Sequence, residues 1–128
     1  MPFFDWKRRQ QRELDGQLQA IHKSQAVIEL NLQGQILQAN DNFLRCTGYT
    51  LAEVLHQHHR MFVEPAYAAS PAYADFWRRL AQGEAETGRY CRLAKGGREV
   101  WLQACYSPIY DAHGKPYKVV KYATDITQ

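Results

Sequence analysis

Residues 87–125, TGRYCRLAKGGREVWLQACYSPIYDAHGKPYKVVKYATD, break into three β-forming runs at 87–93, 99–109 and 117–125. The runs are joined by AKGGR and DAHGKP, whose glycines supply the positive φ that hairpin turns require. Each run must therefore fold back on its predecessor as an antiparallel strand. Strand side chains alternate between faces, so Val100, Leu102, Ala104 and Tyr106 share one side and Trp101, Gln103, Cys105 and Ser107 the other. The first set reads as the wall of a pocket or as plain core.

Upstream the pattern adds a second sheet element and then helices. AVIELNLQGQILQAN alternates around Gln33-Gly34 and predicts a hairpin. Asn40 or Asp41 can cap a short helix that Gly48 closes, and Thr50 three residues before Glu53 has the spacing of a capping box. A longer helix follows with Ser70 as cap, Pro71 at its first position and Gly83 beyond its end, its inner face carrying Tyr73, Phe76, Trp77 and Leu80. Residues 5–24 predict an amphipathic helix with a narrow stripe of Leu14, Leu18 and Ile21, and Phe4 in heptad phase. This stripe could pack on the domain or pair with a second copy. Two strands, several helices and three antiparallel strands make an α+β unit with its helices on one face of the sheet.

A chain of 128 residues suits one domain, here 25–128, preceded by the helix 1–24. The apolar 45% and charged 23% are those of a soluble globular protein, and no stretch is long and apolar enough for a membrane span. The start, MPFFDWKRRQQRELDG, reverses the order of a secretory signal, which points to the cytoplasm. Cys46, Cys91 and Cys105 are odd in number and unpatterned in spacing, so they read as buried free thiols. The net charge of +3 is scattered apart from KRRQQR and WRR, which are read as solvated helix faces and not as a nucleic-acid surface. No nucleophile elbow or phosphate loop is present, so an enzyme is not indicated.

Five words occur in order: GQILQANDNF, TGYTLAEVL, KGGREVWL, SPIYDAHGKP and TDIT. Across about residues 24–127 they resemble the PAS sensor family, and most of all PAS modules of bacterial chemotaxis transducers. The resemblance implies a five-stranded antiparallel sheet whose inner face, closed by the middle helices, forms a pocket for a small ligand or cofactor. His58, His59, Phe76, Trp77, Leu80, Leu102, Ala104, Tyr106 and Tyr122 are then the expected lining. It also implies that Asp125 and Thr127, in the Asp-Ile-Thr joint, couple the last strand to an outgoing signal helix. Asp125 would cap that helix and pair with Lys121 or Lys95. With Met1 at the start and no output after Gln128, the chain reads as the sensory amino-terminal part of a longer signalling protein with a downstream domain. The alternatives are a stand-alone PAS protein and a ligand-free dimerisation module.

Two coloured cofactors come with the family. A photochemical flavin domain needs a reactive cysteine where this chain reads LHQHHRMF, and Leu102 and Ala123 replace its polar flavin contacts. A redox flavin stacked on Trp77 or Trp101 stays open. Haem needs one imidazole in an apolar pocket, and some haem-binding relatives add a Trp on the last strand, where this chain has Tyr117 and Tyr122. The cluster His56, His58 and His59 poses the question directly. A helix over 51–59 puts Glu53, His56 and His59 on one face with His58 elsewhere, which disfavours a three-histidine metal centre and offers zinc no fourth ligand. The histidines are then a solvated helix face, or one imidazole turns inward beside Met61 and Phe62, with His58 and His59 nearest the pocket by family position.

Overall fold

The computed structural model describes residues 2–127, with side chains from Asp5 onward, so Phe4's side chain lies outside the described residues. The elements are α1 (Pro2–Ser24), β1 (Ala26–Leu30), β2 (Ile36–Ala39), α2 (Asp41–Thr47), α3 (Leu51–Val54), α4 (Pro65–Ala68), α5 (Pro71–Ala81), β3 (Glu86–Leu93), β4 (Glu99–Tyr110) and β5 (Pro116–Asp125). A 3-10 turn at His59–Phe62 lies between α3 and α4. The strands form one antiparallel sheet in the order β2-β1-β5-β4-β3, so the first and last strands in sequence lie side by side at its centre. The three C-terminal strands end within one residue of their expected positions.

The caps explain why the short helices hold. Asn40 Oδ1 accepts from Phe43 N–H at 3.0 Å and from Val27 N–H at 2.9 Å, so one side chain starts α2 and fixes it to β1. Gly48 ends α2 at φ 78, and Thr50 and Glu53 form the full capping box. Ser70 caps α5 with Pro71 in its first turn.

On β4 the expected alternation holds: Val100, Leu102, Ala104 and Tyr106 are buried and Trp101 is 47% exposed. Against this inner face pack Phe43, Phe62, Tyr73, Phe76, Trp77 and Leu80. α1 stands apart from that core. Its Leu14 and Leu18 are 55% and 51% exposed, and near its end it is tied down where Asn42 Nδ2 donates to the His22 carbonyl at 2.8 Å. Among the described residues no helix is long and apolar enough to cross a membrane.

The helix expected over 51–59 is the main departure. α3 stops at Val54, His56 takes φ 68, and the chain then runs along the free edge of β2. There His56 N–H donates to Ile36 O at 2.9 Å, Ile36 N–H to Gln57 O at 2.8 Å, and His59 N–H to Gly34 O at 2.8 Å. The open donors and acceptors of a sheet edge outweigh the helical tendency of LHQHH.

Candidate functional site

That edge pairing gives the three histidines three different fates. His56 is exposed at the turn. His58, the cap of the 3-10 turn, accepts from Arg60 N–H at 3.0 Å and sits at the rim against Trp77, ring centroids 6.0 Å apart. His59 is fully buried, so it is neither a solvated helix face nor a partner of Glu53, which pairs instead with Lys95 at 2.6 Å.

His59 is the hub of a polar network inside an apolar core. Its Nδ1 lies 2.7 Å from the Tyr73 hydroxyl and its Nε2 2.9 Å from the Tyr106 hydroxyl. Arg92 Nη2 donates to the Tyr106 oxygen at 3.1 Å. Trp77 meets the His59 ring edge-on at 5.4 Å, and Phe76 meets Tyr106 at 4.9 Å. Burial, reinforced by Lys121 and Arg92, holds the His59 pKa well below its ordinary value, so the ring is neutral with one donor and one acceptor nitrogen. Burial also pushes Tyr73 up to about 12, which keeps its proton on oxygen. Tyr106 differs: burial raises its pKa, but Lys121 and Arg92 outweigh that and the net shift is downward. The network balances when Tyr73 O–H donates to Nδ1 and both Nε2–H and Arg92 donate to the Tyr106 oxygen.

Lys121 completes the set. It is 1% exposed, with Nζ 4.9 Å from the Tyr106 ring centroid and 5.9 Å from that of Phe43. Arg92 is 5% exposed and lies 4.7 Å over the Tyr90 ring. Neither forms an ion pair with a carboxylate of the described residues. Glu86, on the same face of β3, is engaged by Arg79 at 2.6 Å. Burying an ion costs several kcal/mol, whereas a cation over an aromatic face returns about 0.5–2 kcal/mol. Burial accordingly lowers the Lys121 pKa, whereas Arg92 keeps its charge with only the Tyr106 oxygen and an aromatic face set against it.

Of the expected lining residues, His59, Phe76, Trp77, Leu80, Leu102, Ala104 and Tyr106 meet in this core, with His58 at its rim. Tyr122 does not: it pairs with Cys105 in register and so points to the opposite side of the sheet. Trp101 shares that outer face and cannot stack on anything inside. Asp125 pairs with neither Lys121, which points inward, nor Lys95, which holds Glu53. Its carboxylate accepts from Thr127 N–H at 2.8 Å and from the Cys46 thiol at 3.6 Å, and Thr127 Oγ1 accepts from Trp101 N–H at 2.8 Å. Burial beside Asp125 pushes the Cys46 thiol to about 11. The three cysteines are half-buried, not buried: Cys91 and Cys105 lie on the outer face of the sheet and Cys46 beside Asp125.

These positions test the cofactors. A thiol adduct to flavin does not fit, because no cysteine faces the core beside His59. Haem ligation does not fit this arrangement either, since both nitrogens of His59 are engaged by tyrosines.

A family model of the PAS fold matches residues 36–123. The chain belongs to the PAS family. It is 50% identical over 118 residues to the biofilm dispersion protein BdlA of Pseudomonas aeruginosa, which covers 92% of this chain and 28% of that protein. It is 37% identical over 79 residues to the aerotaxis receptor of Escherichia coli, covering 62% of this chain and 15% of the receptor. The PAS module thus spans under a third of either relative. Among solved structures an RNA-binding light-oxygen-voltage receptor superposes with a TM-score of 0.74 at 27% identity, over 89% of this chain and 33% of that one. Family and relatives together mark a sensory signalling module and not an enzyme.

Proposed function

We propose that this PAS module is the sensing unit of a longer cytoplasmic signalling protein of the taxis-transducer kind. It holds a small molecule between the inner face of its sheet and α5, and passes occupancy to a downstream domain through Asp125 and Thr127. The observation that carries the reading is the set His59, Tyr73, Tyr106, Arg92 and Lys121 at the centre of an otherwise apolar core. A core built for stability alone gains little from buried cations. A core that recognises something needs a few convergent polar groups among aromatic walls.

The route outward is short. Tyr106 and Lys121 are directly opposed across β4 and β5, and four residues beyond Lys121 the Asp125 carboxylate is held by Thr127 and Cys46. A shift of β5 at Lys121 changes the geometry of that joint.

A flavin held without a thiol adduct is the second reading. It is supported by the likeness to a light-oxygen-voltage receptor and by the buried Trp77 Nε1, which has no hydrogen-bond partner among the described residues. Visible absorbance of protein expressed with haem and flavin precursors available tests both cofactors. A flavin spectrum favours the second reading, and a colourless protein whose extract contains a bound small molecule favours the first. Replacing His59 with Ala is expected to lower retention of that molecule, and replacing His58 to lower it less. If neither change alters retention, the interior is not the binding site.

A further inference from the structure

The electrostatics of the interior point to the class of ligand, an inference that rests on the ligand-binding reading above. Arg92 and Lys121 approach the same Tyr106 ring system from β3 and β5, and both are more than nine-tenths buried. Among the described residues Arg92 Nε has no hydrogen-bond partner. An arginine fork with a free Nε–H beside a bonded Nη is half of a bidentate carboxylate clamp. The fixed charge of Arg92, and Lys121, whose pKa burial lowers, face at most one internal anion, an ionised Tyr106, while His59 is neutral and Glu86 is occupied by Arg79.

Outside the Tyr73 and Trp77 rings the nearby charge has the same sign. A cavity of about 240 Å³ opens against the far side of Tyr73 and Trp77, lined also by Gln33, His58 and Arg60 and by no carboxylate. Its walls toward the core are the two rings that contact His59, at 6.0 Å and 5.4 Å between centroids. Inside these rings Tyr106, Lys121 and Arg92 are closely packed and buried, so only a compact molecule can be accommodated beside them.

We propose that the interior of this PAS module takes a compact organic acid, its carboxylate held by Arg92 and Lys121 beside Tyr106 and its apolar body packed against Phe76, Tyr73 and Trp77. Neutral analogues of the same shape leave the Arg92 fork uncompensated and bind more weakly.

The test titrates the purified chain calorimetrically with benzoate and a short series of aromatic and aliphatic monocarboxylates, each beside its own neutral amide, with inorganic phosphate as a further arm. At least one acid is expected to bind tenfold or more tightly than its amide and to raise the melting temperature. Arg92→Gln is expected to lose that preference, with circular dichroism confirming the fold. Lys121→Met supplies an independent check: it should keep the fold, melt higher than the parent chain without ligand, and show no added stabilisation from the acid. Phosphate binding as tight as the best acid would overturn the organic part of the assignment. Amides that bind as tightly as their acids, or no stabilisation by any acid, overturn the anion assignment altogether. The wider reading is judged separately: mass spectrometry that finds a neutral molecule retained from the cell leaves a ligand-binding module, and one that finds nothing retained removes both.

Discussion

His59 contributes to the pH response of the fold. Burial, then Lys121, Arg92 and His58, depress its pKa well below 6.5, so the folded chain keeps the ring neutral. The unfolded chain takes up that proton as pH falls through about 6.5 and so binds more protons than the folded one. This contribution to stability is complete above the unfolded value and is lost on acidification, with a slope of up to about 1.4 kcal/mol per pH unit. His59→Gln removes the titrating group. Urea unfolding at pH 7.5 and 5.5 should show a smaller loss for the variant than for the parent chain, and equal losses would contradict the assignment. Lys121 and Arg92 were also present in the sequence as signals. Lys121 lies two residues from Val119 and from Ala123, in phase with an inward face, and Arg92 is in phase with Tyr90. From sequence, Asp125 is expected to pair with Lys121 or Lys95, since a carboxylate at the strand-to-helix joint can pair with a nearby cation. Alternation alone would have turned Lys121 inward.

At the scale of elements, the stretch 55–59 shows what a local pattern leaves out. Thr50, Glu53, Ser70, Pro71 and Gly48 act through neighbours within a few residues, and each cap formed as expected. The course of LHQHH depends instead on the free edge of β2, about twenty residues upstream in sequence, which no local periodicity reports. Gly34 closes that contact. At φ +88, a Cβ there would lie 2.7 Å from His58 Nε2 and 3.1 Å from the Trp77 ring. Gly34→Ala should cost about 1–2 kcal/mol from the left-handed backbone alone and displace His58 from the rim; chemical shifts of the His58 and Trp77 rings check this, and unchanged shifts would refute it. α1 carries a different expectation. Its exposed Leu14 and Leu18 lie on one stripe, and a second copy of the helix is the proposed cover. Removing residues 1–22 should convert dimers to monomers by light scattering, while an unchanged mass would place the dimer interface elsewhere or show that none exists.

At the scale of the whole molecule, the proposed function requires that a filled interior alter β5 and that the Asp125 joint carry the change outward. Asp125→Ala breaks the contacts to Thr127 and Cys46 without touching the core. In the full-length protein it should abolish the response to stimulus with ligand binding intact, and an unchanged response would remove the joint from the mechanism. The fold was legible because turns, caps and alternation are local and the PAS words are numerous. The polar interior was less so, because its members come from β3, β4, β5, α5 and the 3-10 turn and meet only in three dimensions. Native mass spectrometry of the chain, isolated without denaturation from cells, tests most directly whether that interior holds a ligand. The expected spectrum shows a species heavier than the polypeptide that is lost in the Arg92→Gln, Lys121→Met double variant. A bare polypeptide mass in both proteins would contradict the account.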